Sequence, residues 1–225
     1  MRETLQGPNT PLSAPAKLTA NRRVLYGTLP NNTGYIAILA EGSWAEGLTE
    51  ESPQGQHIKA ARDTMNTILT ELKDVKHIVL DLRVNSGGFD SVAMEIASRF
   101  IDKPTVVFRK HSTGTQPYDI TLNPSKDITF AGPVTALISN DTISAGETLA
   151  LALAKATLIG QPTRGELSDA IPKRLPNGWN YTVSLETILT RTNEPVEAKG
   201  VQPKILTTAK DIIADIKLAL THASH

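Results

Sequence analysis

Ile78-Val79-Leu80-Asp81-Leu82-Arg83-Val84-Asn85-Ser86-Gly87-Gly88 leads from an apolar strand into a corner of small residues, and Ala136-Leu137-Ile138-Ser139-Asn140-Asp141-Thr142-Ile143-Ser144-Ala145-Gly146-Glu147 repeats that plan further on. The first corner offers bare backbone and the second a hydroxyl. A serine hydrolase needs both: a nucleophile at an accessible corner, and backbone N–H groups aimed at the oxygen that turns negative in the tetrahedral intermediate.

Around these corners strands and helices alternate. Apolar runs over 23–29 and 34–39, separated by Pro30-Asn31-Asn32-Thr33-Gly34, predict two strands and a turn. Ile58, Met65, Ile68, Leu69 and Leu72 share one helical face, which predicts a helix over 55–73. A strand over 76–83, a helix over 89–102 and strands over 104–109 and 133–139 follow, and this alternation argues for parallel βαβ units. Residues 117–130 read as an inserted extended excursion. The Ala- and Leu-rich segment 148–156, apolar on nearly every side, reads as a buried helix. Asn177-Gly178, between Leu175 and the alternating Tyr181, Val183 and Leu185, predicts a type I′ hairpin. Ile212, Ile213, Ile216, Leu218 and Leu220 predict a closing amphipathic helix from about residue 210. Residues 1–23, with Pro8, Pro11 and Pro15 and no apolar period, read as a linker or tail, leaving one α/β domain over 24–225.

With 23 basic and 23 acidic side chains in 225 residues, nothing in the charge balance requires nucleic acid or an anionic membrane. No apolar run approaches the roughly eighteen residues that span a bilayer. The N-terminus also lacks the apolar segment of a signal peptide. The absence of cysteine excludes disulfides, Cys-ligated zinc and thiol nucleophiles. Five scattered histidines lack metal-binding spacing, so neither a metal nor a cofactor is expected.

Ser144 follows an apolar strand and opens a buried helix whose dipole favours developing negative charge, which makes it the candidate nucleophile. With Glu147 it also fits the capping pattern Ser-x-x-Glu, in which a serine only satisfies helix N–H groups. Gly87 and Gly88 would let the backbone approach a substrate carbonyl closely, although ordinary strand-to-helix turns use glycine pairs too. Arg83 and Asn85 are expected to hold the loop rather than touch substrate.

In order and wording these segments resemble the C-terminal processing peptidases, or tail-specific proteases, and their relatives around the tricorn core protease. That family carries Asp-Leu-Arg-x-Asn-x-Gly-Gly, here Asp81 to Gly88, and Ser-Ala-x-Glu, here Ser144 to Glu147. Its Ile-Gly-x-x-Thr-x-Gly stretch is Ile159 to Gly165, and its Glu-x-x-Gly-Val-x-Pro-Asp-Ile stretch is Glu197 to Ile205, with Lys204 in place of Asp. With Gly34-Tyr35-Ile36-Ala37-Ile38 the resemblance covers residues 34–205. It implies a ClpP/crotonase-like core of stacked βαβ units with an added β-hairpin and a C-terminal helix. It further implies a serine endopeptidase acting on peptide or protein through a Ser144 acyl-enzyme. The oxyanion hole then falls to Gly87 or Gly88 with Ala145, and Glu197 becomes a helper carboxylate. An extracytoplasmic location, periplasm or cell envelope, is implied by the resemblance alone.

The general base is where the sequence departs. Many members use a lysine directly after Gly-x-x-Thr-x-Gly, where this chain has Glu166, and a carboxylate cannot replace a desolvated amine in a Ser-Lys dyad. Lys155 lies on the nucleophile's own helix, about 16 Å along the axis. The tricorn-like branch takes a His from an upstream helical region, within a Gly-His-Thr-like stretch that this sequence lacks. His57, His77, His111, His222 and His225 have no catalytic context. An upstream helical domain of the same protein is therefore the expected source of the base, and no PDZ domain is visible. Gly146, where the family often has Ser or Ala, is expected to loosen the corner. The apolar strand 181–189 would offer an edge to a peptide. The competing expectation is a non-catalytic peptide- or lipid-binding module on the same fold, since relatives include retinoid- and fatty-acid-binding proteins. Fold analogy alone decides neither.

Overall fold

The computed structural model describes residues 1–7, 10–112, 114–184, 186–208 and 212–222. The first half holds α1 (Arg2–Gln6), β1 (Lys17–Thr19), β2 (Val24–Leu29), β3 (Thr33–Ile38), α2 (Gln54–Glu71), β4 (His77–Asp81), α3 (Asp90–Ala97), β5 (Thr105–Ser112) and β6 (Tyr118–Leu122). The second holds β7 (Val134–Ile138), α4 (Ala145–Ala152), β8 (Thr157–Gly160), β9 (Ala170–Arg174), β10 (Asn180–Ser184), β11 (Glu186–Leu189), β12 (Ile205–Leu206) and α5 (Ile212–His222).

Seven strands make the main sheet in the order β1-β2-β3-β4-β7-β8-β12. The first three run antiparallel, and from β3 onward every neighbour is parallel. β3, β4 and β7 are buried at every position, as unbroken apolar runs require of strands covered on both faces. Alternation divides their side chains. Ile36, Ile38, Ile78 and Leu80 pack with residues of α2, α3 and α4, while Tyr35, Ala37 and Val79 pack with Leu5, Ile216 and Ala219 from α1 and α5.

That second face explains a departure from expectation. The described residues among 1–23 are docked: Leu5, Leu12 and Ala16 are buried, and β1 pairs with β2. Single apolar residues set between prolines carry no period to read, yet they suffice to cover one end of the sheet. The strand expected over 104–109 also differs, because β5 does not enter the parallel sheet. It forms a separate antiparallel sheet, β11-β5-β6, with β6 supplied by the excursion at 117–130. Its partly exposed Arg109, Lys110 and His111 suit an outer layer and not the middle of a doubly covered sheet.

β9 and β10 pair around Pro176-Asn177-Gly178, but the turn is not type I′. Proline cannot take a positive φ, and only Gly178 does so here, at +88°. The Gly178 N–H donates to the Leu175 carbonyl at 2.9 Å, giving a type I turn followed by a left-handed glycine. Leu185 of the predicted hairpin, and Lys210 and Asp211 before α5, lie outside the described residues. Among the described residues no helix is long and apolar enough to cross a membrane.

Candidate active site

Parallel pairing of Asp81 with Leu137 releases the two corners side by side at the carboxyl ends of β4 and β7, where open α/β sheets place their sites. Three bonds staple them together. Thr142 Oγ1 donates to the Leu82 carbonyl at 2.8 Å, Ser139 Oγ to the Arg83 carbonyl at 2.6 Å, and the Ile143 N–H to the Asn85 carbonyl at 3.1 Å. Ser144 is half-buried and strained, with φ 55° and ψ −126°, directly before α4. A Cβ on Gly87 would stand 2.7 Å from Ser144 Cβ and 3.2 Å from its Oγ, so only glycine lets the first corner lie against the second. Ser144, Gly87, Gly88 and Ala145 are thus brought together.

The amides of this corner are not equivalent. The Gly87 N–H donates to Asn85 Oδ1 at 2.8 Å and is occupied. Gly88 stands opposite Glu41 in a parallel bridge made by Glu41 N–H to the Gly87 carbonyl, 2.9 Å, and Phe89 N–H to the Glu41 carbonyl, 2.8 Å. That pattern turns the Gly88 N–H away from Glu41, at an exposed residue. Ala145 opens α4, so its N–H has no intrahelical acceptor. Neither the Gly88 nor the Ala145 N–H has an acceptor among the described residues.

Ser144 and Glu147 do form the outline of a capping box, with the Glu147 carboxylate accepting the Ser144 N–H at 3.2 Å. The Glu147 N–H, which faces the Ser144 hydroxyl in that box, is also bonded to the Ser144 carbonyl at 2.8 Å. Glu147 is fully buried and binds the following loop as well: it accepts the Gly165 N–H at 2.7 Å, the Glu166 N–H at 2.9 Å and the Thr163 hydroxyl. Gly146 does not loosen the corner as expected. A Cβ there would meet Asn85 Oδ1 at 2.5 Å, so the space that Ser or Ala would use is filled by Asn85.

Arg83 lies behind the site, its Nε 3.0 Å from Asp81 and its Nη1 3.0 Å from Asp215 of α5. Among the described residues no hydrogen bond joins Glu197 to Ser144. Its carboxylate accepts the Ser168 N–H at 3.1 Å and the Ser168 hydroxyl at 2.6 Å, which fixes the loop whose Glu166 carbonyl accepts the Ser144 N–H at 3.2 Å. The Glu166 residue is exposed beside the nucleophile. Lys110 is no base: burial pushes its pKa down, but bonds to Asp169 at 2.8 Å and Glu186 at 3.0 Å outweigh that and hold it raised. Lys155 pairs with Asp102. His57 has both ring nitrogens engaged, by the Ser43 N–H at 3.1 Å and the Thr49 carbonyl at 3.0 Å. His77 is buried against Thr135, with its pKa lowered by burial, and His111 meets the Thr115 carbonyl at 3.0 Å. The His222 side chain and His225 lie outside what is described.

Two groups of the site are not singled out by the sequence. Thr163 lies in plain view within the Ile159–Gly165 stretch, and it ties Glu147 to the Val201 N–H at 2.7 Å. Glu41, buried beneath Gly88, carries no sequence signal at all.

Strand, strained serine and helix, mounted on parallel βαβ crossovers, make the core ClpP/crotonase-like in fold. More narrowly, the chain belongs to peptidase family S41, whose family model matches residues 32–207. It is 28% identical over 139 residues to the carboxy-terminal processing protease CtpA of Bacillus subtilis. It is 32% identical over 148 residues to carboxyl-terminal-processing peptidase 2, chloroplastic, of Arabidopsis thaliana. These matches cover 60% and 64% of this chain but only 29% and 28% of those proteins, so the chain spans under a third of their length. A candidate peptidase from Parabacteroides merdae shares the fold with a TM-score of 0.76 at 21% identity, over 95% of this chain and 67% of that one.

Proposed function

We propose that the chain is the catalytic core of a serine endopeptidase that hydrolyses peptide bonds through an acyl-enzyme at Ser144. The observation that supports it best is the Ser144 hydroxyl lying against Gly87, flanked by the unengaged N–H groups of Gly88 and Ala145. Ser144 Oγ attacks the scissile carbonyl carbon and gives its proton to a base. The carbonyl oxygen, now negative, accepts from the Gly88 and Ala145 N–H groups, with the α4 dipole behind them. Collapse expels the amine, which takes the proton, and water then hydrolyses the ester. Each oxyanion donor is worth about 100- to 1,000-fold in rate. Gly87 makes room, and Glu197 acts through Ser168 on the loop that holds Ser144.

The base comes, on this reading, from an upstream helical segment of the same protein carrying a histidine. No described Lys or His is free beside Ser144 to act as one. Peptide or protein is the substrate class, and an extracytoplasmic location is proposed on family grounds. Without the base, Ser144 remains a neutral hydroxyl, a weak nucleophile at pH 7. The chain should therefore fold yet cleave unstructured peptides slowly, and gain cleavage when the upstream segment is supplied in cis or as a separate chain. Fluorophosphonate labelling and peptide cleavage should both disappear in Ser144→Ala; cleavage that survives that substitution sinks the proposal. Glu166 in the place of the family lysine favours a second reading, a non-catalytic module. It would show peptide or lipid binding with no labelling even when the upstream segment is present.

A further inference from the structure

Glu41 follows β3 and lies fully buried beneath the first corner. Its backbone takes both ends of that corner through the Gly87 carbonyl and the Phe89 N–H, and a Cβ on Gly88 would stand 2.4 Å from its carbonyl oxygen. Its side chain reaches the same loop from inside, where Oε1 accepts Asn85 Nδ2 at 2.6 Å. Asn85 is buried too, and it donates to the Ile38 carbonyl at 3.0 Å while its Oδ1 accepts the Gly87 N–H. Those two bonds determine which end of the amide is oxygen. Glu41 Oε2 is buried with no partner among the described residues.

We propose that Glu41 and Asn85 are positioning residues of the oxyanion corner: the Glu41 carboxyl fixes the Asn85 amide, and Asn85 engages the Gly87 N–H so that the Gly88 N–H is the one presented outward. The inference rests on the oxyanion reading above. Below about pH 8 the neutral acid is favoured at the Glu41 site, because a carboxylate there would be a buried charge held only by the Asn85 amide and a backbone N–H. Burial pushes the Glu41 carboxyl up to about 8; the Asn85 bond opposes this and the Asp90 charge adds to it. Asp90, at the start of α3, is itself raised by burial. On the other sides, His57 of α2 is engaged by Ser43 and Thr49 and packs tilted against the Phe89 ring, while Arg23 and Glu50 line a cleft of about 240 Å³ outside Gly87 and Gly88. No described cation bonds Glu41.

The unfolded carboxyl ionises near 4.5 and the folded one near 8, so between those values the folded state holds a proton that the unfolded state has lost. The stability contributed by this group is complete below the lower value and is lost as pH rises through the upper one. The corner itself should loosen as the folded carboxyl ionises near pH 8.

The test is to record ¹⁵N–¹H spectra of the whole chain from about pH 6 to about pH 9.5, following the Gly87 and Gly88 amides. Both should titrate together with a midpoint near 8, and the Gly87 N–H should lose exchange protection on the alkaline side. Glu41→Gln should abolish that titration while keeping the low-pH positions, and Asn85→Ala should remove Gly87 protection at every pH. Amides that stay still through pH 8 in the wild type, or that titrate unchanged in Glu41→Gln, overturn the proposal. The wild-type titration needs no variant, so a poorly folding Gln protein leaves the test standing. Ser144 labelling is read separately, with the upstream segment supplied: its absence there beside an intact titration would sink the peptidase reading and spare the positioning pair.

Discussion

The corner around Ser144 and the arm built from β5, β6, β9, β10 and β11 are neighbours held by different forces. In the corner, buried groups leave no slack: Glu147 gathers four donors, and Gly87, Gly88 and Gly146 each sit where a Cβ would strike a neighbour within 2.7 Å. In the arm, partly exposed ion pairs dominate, such as Arg109 with Asp119 at 2.8 Å and Lys110 with Asp169 and Glu186. The two regions meet at Ser168 and Asp169, one held by Glu197 and the other by Lys110. Atoms that must be placed to a fraction of an ångström are over-determined by hydrogen bonds, whereas the surface beside them can move at little cost.

The most damaging single change should therefore be Glu147→Ala. It leaves the Gly165 and Glu166 N–H groups and the Thr163 hydroxyl without their acceptor, at about 1 kcal/mol or more each, and the Ser144 N–H with the Glu166 carbonyl alone. We expect about 4 kcal/mol in all, seen as a melting temperature roughly 10 °C lower. A loss below about 1 kcal/mol would mean that water replaces the carboxylate and that the corner is no more rigid than the arm. Gly146→Ala comes next. Its methyl would displace Asn85 Oδ1 and with it the Gly87 N–H bond, for about 1–3 kcal/mol, and Ser144 labelling should slow by more than the melting curve alone explains.

Much of this contrast is legible in the sequence. The central strands announce themselves as unbroken apolar runs, and the corners as strand, small residues and helix, because tight turns and nucleophile placement restrict residue type over a few consecutive positions. The rest depends on side chains meeting across the fold. Which of Gly87 and Gly88 keeps a free N–H is decided by the direction of the Asn85 amide. Glu41 sits between Ala40 and Gly42 like any loop residue until β3 and β4 pair and enclose it. The spacing at 104–109 shows a strand without saying which sheet it joins, and the scattered apolar residues of 1–23 acquire a role only when α5 lies alongside them. Asn177-Gly178 reveals the hairpin, but Pro176 sets its turn type.

A smaller effect should follow Lys110→Met. The Lys110 side chain is 16% exposed but its partners Asp169 and Glu186 are 56% and 24% exposed, so solvent screens much of the attraction, and about 0.5–1 kcal/mol is expected. The Lys110 bond lowers the Glu186 carboxyl, so this contribution is present at neutral pH and is lost as pH falls through the folded value. It should also shrink in high salt, as the Glu147 effect should not. Equal salt sensitivity at both sites would erase the distinction between corner and arm.

The smallest effect belongs to Trp179→Ser at the hairpin tip. Register places Lys173 opposite Tyr181 and Ile171 opposite Val183, and the Leu175 N–H bonds the Trp179 carbonyl at 2.7 Å. One face therefore carries Ile171, Leu175, Trp179, Tyr181 and Val183, and Trp179 is 73% exposed. A side chain that already contacts so little loses little when it is shortened, so stability should change by no more than about 0.5 kcal/mol, a shift of about 1–2 °C. The measurement is a thermal melt at two protein concentrations. A fall of several degrees, or one that depends on concentration, would show that this apolar face is covered in solution and that the arm, like the corner, has a fixed partner.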